Sequence, residues 1–361
     1  MKIFHLFFGF RMGGAESMIV DLANRQVARG EDVWLVIVNA DVDPALVATL
    51  DRRVKVLRLG RRPGSRNPWP LLRLNMAVLR QRPHVLHFHN INLPAAVVAP
   101  LRRNAVMTLH TNLLPVDKAR GARLVAISDQ VAAEVAQSHP DMPVTTIYNA
   151  VDFDAVSARP AGALTDMPAP GVCDDHRRCR IVQLGRLFAD IKGQDLLIEA
   201  LGILKKRGYC GVKADFIGDG PDRGRLEKLA AECCVADDVR FLGPMSREAT
   251  YAALGGYDLM VHPSRVEGFG LAIVEGMAAG LPVITADAGA PAEVVGHGRY
   301  GRLFAYGDAA SLADAIAGDM ADYEKALQRA DEARRYAAAR YSLDTMTDAY
   351  AALYSGIGSG R

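Results

Sequence analysis

The sequence predicts an α/β protein made of two doubly wound, Rossmann-like domains in tandem, and three observations lead to that prediction. The chain has 361 residues, half of them apolar, which favours two domains of ordinary size with separate cores. Short apolar runs alternate with segments of helical period, as in parallel sheets covered by helices on both faces. A Pro-, Gly- and Ala-rich segment without periodicity, 157–178, separates two series of such runs and indicates a linker.

The elements follow from this pattern in chain order. In the first half, the predicted strands are KIFHLFF, VWLVIV, VKVLRL, HVLHF, AVMTL, RLVAI and VTTIY; in the second, they are CRIVQL, VKADFIG, DVRFLG, DLMVH and LPVIT. Helical segments are predicted at 16–29, 69–81, 129–138, 192–207, 222–233, 270–279 and 309–318. We expect a first domain at 1–168, a second at 169–341, and a helix at about 342–361 packing back on the first. Ligands of doubly wound sheets bind beyond the carboxyl ends of the strands, which predicts a cleft between the domains.

Charge is balanced overall but unevenly distributed. Lys and Arg exceed Asp and Glu by 43 to 41, whereas the stretch from Arg52 to Val116 holds twelve basic residues and no acidic one. A helix within it could pack on the sheet with its arginines solvated. Alternatively, Arg61, Arg62, Arg66 and Trp69 could approach an anionic membrane or a phosphorylated lipid, which we favour. No motif supports nucleic-acid binding.

Cysteine usage and hydropathy bear on the compartment. Five cysteines in the second half form no C-x-x-C pair, and we expect all of them to be reduced. The apolar N-terminal run is short and lacks a cleavage site, so we interpret it as the first strand. No apolar run reaches the ~20 residues that span a bilayer. These features favour a cytoplasmic protein with peripheral contact to the inner membrane face.

Four loops after predicted strands carry residues suited to binding. Gly13 and Gly14 precede a helix and permit close backbone approach, although a plain turn explains them equally well. Arg186 and Lys192 lie before another helix, where two cations suit a diphosphate; solvated surface charge is the alternative. The glycines at 218, 220 and 224 follow G-x-G-x-x-x-G and make a poor dinucleotide fingerprint, but Gly218 could still approach a ligand.

The fourth loop contains two glutamates eight positions apart. Glu267 lies in RVEGFG at a helix start, and Glu275 lies inside that helix among apolar residues. Glu267 could simply cap the helix and Glu275 could be solvated. The apolar surroundings of Glu275 instead indicate burial, and a buried carboxylate needs a partner such as a ribose hydroxyl.

These motifs together resemble a known family. PSRVEGFGLAIVEGMAAGLPVI with its E-x7-E pattern, GRLFADIKGQDLLIEAL, MGGAE and YNAVDFD are similar to retaining glycosyltransferases of the GT-B fold, family 4 (glycosyl transferases group 1). The similarity covers nearly the whole chain and is strongest over 181–304. It implies transfer of a sugar from a nucleotide-diphosphate sugar, a co-substrate rather than a cofactor, with retention at the anomeric carbon and without a metal.

The resemblance also implies roles for individual residues. Arg186 and Lys192 match the pair that holds the diphosphate, Glu275 the glutamate on the ribose, and Glu267 the glutamate near the donor sugar. His110 matches a histidine that contacts the transferred sugar, although Thr111 follows it where the family often has Asp. The resemblance further implies that the backbone N–H groups of Phe269, Gly270 and Leu271 reach sugar hydroxyls or phosphate, and that the Gly13–Gly14 loop approaches the donor phosphate and the acceptor. Glu293 matches a residue near the nucleotide. Asn149 and Asp152 match a hinge loop, in which Ala150 replaces the usual Gly.

Other polar residues have competing interpretations. His87 and His89 lie two apart on a strand end and suggest a metal pair, but the sequence offers no third ligand; a place near the acceptor pocket or simple packing is the alternative. His262 follows a buried strand and is interpreted as a core or cleft residue. Two D-x-D strings, at 41–43 and 152–154, resemble a metal-binding motif. The first lies in a loop after the second predicted strand and the other lies in the hinge motif, so we interpret neither as a metal site.

Several functions remain open from the sequence alone. The leading hypothesis is a hexosyltransferase with a glycan or lipid-linked acceptor in bacterial surface polysaccharide biosynthesis (lipopolysaccharide, capsule or exopolysaccharide). The alternatives are an NAD-dependent oxidoreductase, which the glycine spacing disfavours, and a non-catalytic nucleotide-sugar binding protein, which the intact motif residues disfavour. A nucleotide-sugar epimerase shares the two-domain architecture but not the E-x7-E pattern.

Overall fold

The computed structural model describes residues 1–11, 13–110, 115–160, 166–173 and 176–358. The chain divides into two compact units, one formed by Met1–Ala150 together with the chain from Tyr341 onward, the other by Val151–Arg340. Each unit is built around a parallel sheet, so the predicted α/β class with two Rossmann-like domains is confirmed.

Strands and helices alternate along most of the chain. The strands are β1 Lys2–Phe7, β2 Asp32–Asn39, β3 Lys55–Arg61, β4 Val85–Phe88, β5 Ala105–Leu109, β6 Arg123–Ala126, β7 Val144–Thr146, β8 Cys179–Leu184, β9 Val212–Ile217, β10 Val239–Gly243, β11 Leu259–His262, β12 Val283–Ala286 and β13 Arg302–Phe304. The helices are α1 Gly14–Ala28, α2 Pro44–Ala48, α3 Trp69–Gln81, α4 Asp129–Ser138, α5 Ala189–Lys192, α6 Gln194–Lys206, α7 Arg223–Glu232, α8 Arg247–Leu254, α9 Leu271–Ala278, α10 Gly289–Val294, α11 Ala309–Ala321, α12 Tyr323–Arg340 and α13 Leu343–Gly358.

The first unit has the sheet order β3-β2-β1-β4-β5-β6-β7, with parallel neighbours throughout the described strands. The strand order reverses between β1 and β4, which is where doubly wound sheets bind ligands. At this point His5 on β1 lies directly beside His87 on β4. The α13 helix closes the core of this unit with the buried side chains of Tyr350 and Tyr354.

The second unit repeats the arrangement with the order β10-β9-β8-β11-β12-β13. The reversal falls between β8 and β11, whose pairing aligns Leu259 with Ile181. Both strands are buried apolar runs, as expected for a sheet covered on both faces. The loops that leave β8 and β11 at their carboxyl ends therefore emerge side by side.

The division between the units falls earlier than the expected 168/169 boundary. It lies at Ala150/Val151, inside the NAVD motif. The residues that follow this division belong to the second unit because of two contacts of Arg159. The guanidinium of Arg159 pairs with buried Asp258 at 2.9 Å, and the backbone N–H of Arg159 donates to the Ala279 carbonyl at 2.8 Å. The irregular composition of 157–178 identified a connecting segment but not the contacts that assign it to one unit.

The expectation that all five cysteines are reduced is wrong for two of them. Cys173 and Cys210 form a disulfide, with Cα atoms 5.1 Å apart, while Cys179, Cys233 and Cys234 are free thiols. The backbone N–H of Gly171 donates to the Gly208 carbonyl at 2.9 Å and brings the two segments together. A separation of 37 residues gave no sign of this proximity.

Candidate functional site

The loops after β8 and β11 are locked together. Gly193 has φ +67°, and a Cβ there would lie 2.1 Å from the carbonyl oxygen of Pro263, so only glycine permits the approach. The backbone N–H of Arg265 donates to the Ile191 carbonyl at 2.8 Å, and its guanidinium binds Asp195 through two hydrogen bonds of 2.8 and 2.9 Å. Gly193 also ends α5, a short helix that was not predicted, and the helix predicted at 192–207 is α6, which starts after Gly193.

Lys192 and Glu267 meet across these loops. Lys192 Nζ donates to Glu267 Oε2 at 2.6 Å, and His262 Nε2 lies 3.3 Å from the same oxygen. Burial would raise the pKa of Glu267, but the hydrogen bond from His262 and the charge of Lys192 outweigh it and lower that pKa to about 2. Glu267 is therefore a carboxylate at neutral pH, and the structure gives His262 the role of its hydrogen-bond partner.

Arg186 has a different environment. Its side chain is exposed, and the guanidinium lies 4.9 Å from the centroid of the Phe188 ring. Its backbone carbonyl accepts a hydrogen bond from Gln194 Nε2 at 2.8 Å, which fixes the loop. Within the described part of the chain, Arg186 has no carboxylate partner, so its planar fork is available to an anion.

Glu275 is held on α9, one turn into the helix. Tyr251 donates its hydroxyl to Glu275 Oε1 at 3.2 Å, and the carboxylate is half-buried. The helix begins after Gly270, whose φ of +99° turns the chain from the Glu267 loop into α9. Phe269 is buried and Leu271 opens the helix, so the predicted E-x7-E pair spans one loop–helix junction.

Two further candidates lie on neighbouring elements. Glu293 is half-buried on α10, which follows β12, the strand next to β11. Gly218 has φ +140°, and a Cβ there would lie 2.1 Å from the Gly185 carbonyl oxygen; a Cβ on Gly220 would lie 2.4 Å from that of Leu187. The backbone of the loop after β8 thus fills the space where a side chain at either position would lie. This close packing explains why both residues are glycine without any need for a bound dinucleotide.

In the first unit, Gly13 is the residue before α1 and Gly14 is the first residue of that helix. A Cβ on Gly13 would lie 2.6 Å from Glu16 Oε2, so the Glu16 carboxylate occupies the space beside the helix start. Burial raises the pKa of Glu16, and a hydrogen bond from its own backbone N–H partly offsets that rise. The helix start thus already has a carboxylate beside it, which sequence analysis did not anticipate.

His110 follows β5 and lies at one end of a chain of histidines. Its Nε2 is 3.1 Å from His89 Nδ1, His89 Nε2 is 3.0 Å from His5 Nδ1, and His5 Nε2 is 2.8 Å from Gln26 Oε1. Burial lowers the pKa of His5 and of His110 to about 4, and burial with the neighbouring histidines lowers that of His89 well below its ordinary value. All three rings are neutral at neutral pH.

His5 lies beside His87 and His89 and is the third histidine of the group, which sequence analysis did not find. The ligand nitrogens of the three lie within 4.8 Å of one another, a grouping that could hold a metal. Each ring nitrogen of the three already has a hydrogen-bond partner, however. His87 Nε2 lies 2.7 Å from Thr108 Oγ1, and His87 Nδ1 lies 2.7 Å from the Tyr354 hydroxyl oxygen. The arrangement therefore fits a hydrogen-bonded core better than a metal site. A histidine inside the apolar run KIFHLFF was the available signal.

The D-x-D strings have structural partners. Asp43 caps α2 by accepting from the Ala45 backbone N–H at 2.9 Å, and Asp41 pairs with Arg11. Asp152 accepts from the backbone N–H of Asp154 at 3.2 Å.

Two doubly wound parallel sheets, the second carrying cations and carboxylates at its reversal point, are the architecture of GT-B glycosyltransferases. Two family models match the chain: Glycosyltransferase Family 4 over 12–155 and Glycosyl transferases group 1 over 175–336. The chain therefore belongs to the family 4 glycosyltransferases of the GT-B fold, which confirms the resemblance drawn from its motifs.

Individual proteins agree with this assignment. A GDP-mannose-dependent alpha-(1-6)-phosphatidylinositol monomannoside mannosyltransferase of Mycobacterium tuberculosis is 33% identical over 176 residues, 47% of this chain and 45% of the relative, so the chain matches about half the length of that relative. A phosphatidyl-myo-inositol mannosyltransferase of Mycobacterium leprae is 29% identical over 329 residues, 84% of this chain and 83% of the relative. Anabaena Alr3699/HepE, solved with UDP-glucose, has the same fold: its TM-score is 0.80 at 24% identity over 99% of this chain and 100% of that one.

Proposed function

We propose that the protein transfers a hexose from a nucleotide-diphosphate sugar to a glycan or lipid-linked acceptor, with retention of configuration. The observation that carries the proposal is the pairing of Lys192 with Glu267 at the carboxyl ends of the two strands where the sheet order reverses. The exposed fork of Arg186 lies in the loop that leaves the first of these strands. In this proposal the cations receive the diphosphate, Glu275 the ribose, and Glu267 with the N–H groups of Phe269, Gly270 and Leu271 the sugar.

The chemistry rests on charge. Departure of the nucleoside diphosphate places negative charge on phosphate while the sugar becomes oxocarbenium-like, so fixed cations at the phosphate provide the main stabilisation. Arg186 offers a bidentate fork and Lys192 a point charge for this purpose. We propose that these two cations supply the charge stabilisation without a divalent metal. The acceptor hydroxyl then attacks from the face that the leaving phosphate vacates, and a phosphate oxygen takes its proton.

Nucleotide binding tests the donor site. Titration calorimetry with UDP, GDP, ADP and dTDP sugars should find one that binds, while NAD and NADP should not. Lys192→Ala should weaken that binding by about 10- to 100-fold, because hydrogen bonds to charged groups contribute about 1.5–3 kcal/mol. Lys206→Ala removes an exposed lysine at the far end of α6 and should leave affinity unchanged. Equal loss in both variants, or binding of NAD alone, would contradict the proposal.

Two measurements on the reaction test its finer features. Proton NMR of the product should show the anomeric configuration of the donor, and inversion would refute retention. Transfer rates should be unchanged by EDTA, and rates restored only by added Mg²⁺ or Mn²⁺ would refute a metal-independent reaction.

We further propose that α3 contacts an anionic membrane and thereby meets a lipid-linked acceptor, as in surface polysaccharide synthesis. Trp69, Leu72, Met76 and Leu79 are 57%, 51%, 37% and 60% exposed, and their spacing places them on one face of the helix. The exposed arginines Arg73 and Arg80 lie seven residues apart on α3 beside that face, and exposed Arg66 precedes the helix. An apolar stripe flanked by arginines is typical of an interfacial helix.

Among the described residues no helix is both long enough and apolar enough to cross a bilayer. The two mycobacterial relatives, whose names specify phosphatidylinositol substrates, support a lipid-linked acceptor.

Vesicle sedimentation tests the membrane proposal. The protein should bind phosphatidylglycerol vesicles and not phosphatidylcholine vesicles, with affinity falling as salt rises. Arg73→Gln with Arg80→Gln should weaken binding about 30-fold, since each arginine near an anionic surface contributes about 1 kcal/mol. Leu72→Ser with Leu79→Ser should also weaken it. Arg102→Gln with Arg103→Gln makes the same charge change outside α3, and equal loss in that control would contradict a role for α3.

A further inference from the structure

The histidine chain of the first unit begins at Gln26, a helix residue with no role in the motifs. Gln26 is 3% exposed on α1, and its Oε1 faces His5 Nε2 at 2.8 Å. From there the chain passes through His5 and His89 to His110 by ring nitrogen contacts of 3.0 and 3.1 Å. The chain thus joins the core side of α1 to the carboxyl end of β5.

One contact sets the orientation of the Gln26 carboxamide. Its Oε1 is the atom that faces His5 Nε2, at 2.8 Å. Gln26 is buried, so this contact is shielded from water. The side chain of Gln26 therefore presents an acceptor to His5.

That orientation dictates the tautomer of every ring in the chain. Because Gln26 presents an oxygen, His5 must carry its proton on Nε2 and use Nδ1 as an acceptor. His89 then donates from Nε2 and accepts at Nδ1, and His110 donates from Nε2 in turn. The last lone pair lies on His110 Nδ1, which is buried and has no hydrogen-bond partner among the described residues. An unsatisfied buried acceptor at the end of an ordered chain suits a donor from a ligand.

We propose that Gln26 is a positioning residue that sets the tautomer of His110, so that His110 Nδ1 accepts a hydrogen bond from a hydroxyl of the transferred sugar. The inference rests on the proposed function and on the family resemblance, in which His110 matches a histidine that contacts the transferred sugar. It assigns a direction to the contact: the sugar hydroxyl is the donor. A donor sugar with hydrogen or fluorine in place of that hydroxyl cannot supply the proton and loses the contact.

The first test needs no substrate. Full-length protein labelled with ¹⁵N-histidine is studied at pH 8 by long-range ¹H–¹⁵N correlation, which distinguishes protonated from unprotonated ring nitrogens, and His110→Asn assigns the His110 signals. We expect His110 to be protonated at Nε2 and unprotonated at Nδ1. Gln26→Glu retains an acceptor toward His5 and should preserve this pattern. Gln26→Met has similar volume without an acceptor and should give a mixture of tautomers.

Activity then tests the role of the tautomer. With the donor identified by calorimetry, Gln26→Met should lower kcat/KM about tenfold and Gln26→Glu should restore most of it, a rescue that general core damage would not show. A wild-type His110 protonated at Nδ1, or an unchanged tautomer in Gln26→Met, would overturn the proposal. So would a changed tautomer with unchanged kcat/KM. If Gln26→Met does not fold, the wild-type spectrum still decides the tautomer. A wild-type protein that binds no nucleotide sugar would instead refute the proposed function, whatever the spectrum shows.

Discussion

At the scale of single residues, Lys192 has one charge and two prospective anionic partners. In the structure it binds Glu267 at 2.6 Å, and the lowered pKa of Glu267 keeps that carboxylate ionised. A diphosphate binding at Lys192 must share the ammonium with Glu267 or displace it. If the proposed function is correct, the pair would hold the lysine in place before the donor arrives and would oppose binding of the diphosphate product.

Glu267→Gln separates these two effects. The amide keeps the size of the side chain but removes its charge, so we expect nucleoside diphosphate to bind about two- to tenfold more tightly, a change of about 0.5–1.5 kcal/mol. Sugar transfer should slow because the substitution removes the carboxylate that the proposed function assigns to the sugar. Calorimetry with UDP and GDP measures the affinity, and Glu227→Gln on α7 provides a control with the same charge change. Weaker diphosphate binding in Glu267→Gln would show that Glu267 does not compete for Lys192.

At the scale of elements, Gly193 determines whether the β8 and β11 loops can pack. Gly193→Ala would require φ +67° from a residue with a Cβ and would drive that Cβ into the Pro263 carbonyl oxygen at 2.1 Å. The left-handed conformation alone costs about 1–2 kcal/mol. We expect the second unit to lose at least about 2 kcal/mol of stability, and nucleotide binding to weaken because Lys192 and Glu267 no longer meet.

Gly224→Ala is the matched control. This glycine lies on α7 and has no atom within 4 Å of its added Cβ, so alanine should stabilise the helix by about 0.5–1 kcal/mol. Thermal unfolding followed by circular dichroism compares the two variants. Similar effects in both would contradict the close approach at Gly193.

At the scale of the whole molecule, acid should destabilise the two units in different pH ranges. Burial lowers the pKa of His5 to about 4 from 6.5, so folding favours its neutral form. Its contribution to stability is complete above about pH 6.5 and is lost as the pH falls toward 4, by roughly 3 kcal/mol. For Glu267 the shift to about 2 from 4.5 favours the charged form, so the corresponding loss in the second unit begins only below about pH 4.5.

Unfolding monitored from pH 7.5 to 3 tests this order. The first unit should weaken between pH 6.5 and 4, as reported by the near-ultraviolet signal of Trp34 and Trp69, its two tryptophans. Gln26→Glu should weaken this pH dependence, because a carboxylate beside His5 favours the imidazolium. A first unit whose stability is constant from pH 7 to 5 would show that the histidines are not buried as neutral rings.

Sequence patterns predicted the fold well because strands buried on both faces leave continuous apolar runs, and β1 to β12 were found that way. The three-residue strand β13 was missed because it is too short to leave such a run. Patterns also placed Lys192, Glu267 and Glu275 in loops or helices after strands, but could not show that Lys192 pairs with Glu267, since 75 residues separate them. Gln26 was missed for the same reason: its partner His5 lies on β1, and the helix neighbours of Gln26 give no sign of it. The Cys173–Cys210 bond likewise depends on a fold contact rather than on spacing.

The C-terminal helix has a consequence for biosynthesis. The α13 helix supplies Tyr350 and Tyr354 to a core otherwise built from the first 150 residues, and Tyr354 holds His87 by a hydrogen bond. On the ribosome, that core must wait until Leu343–Gly358 has been made, whereas Val151–Arg340 contains all of its own sheet. Although domains made first usually fold first, in this chain the unit that starts first should be the last to acquire its final packing. Until then its buried histidines would remain exposed to water.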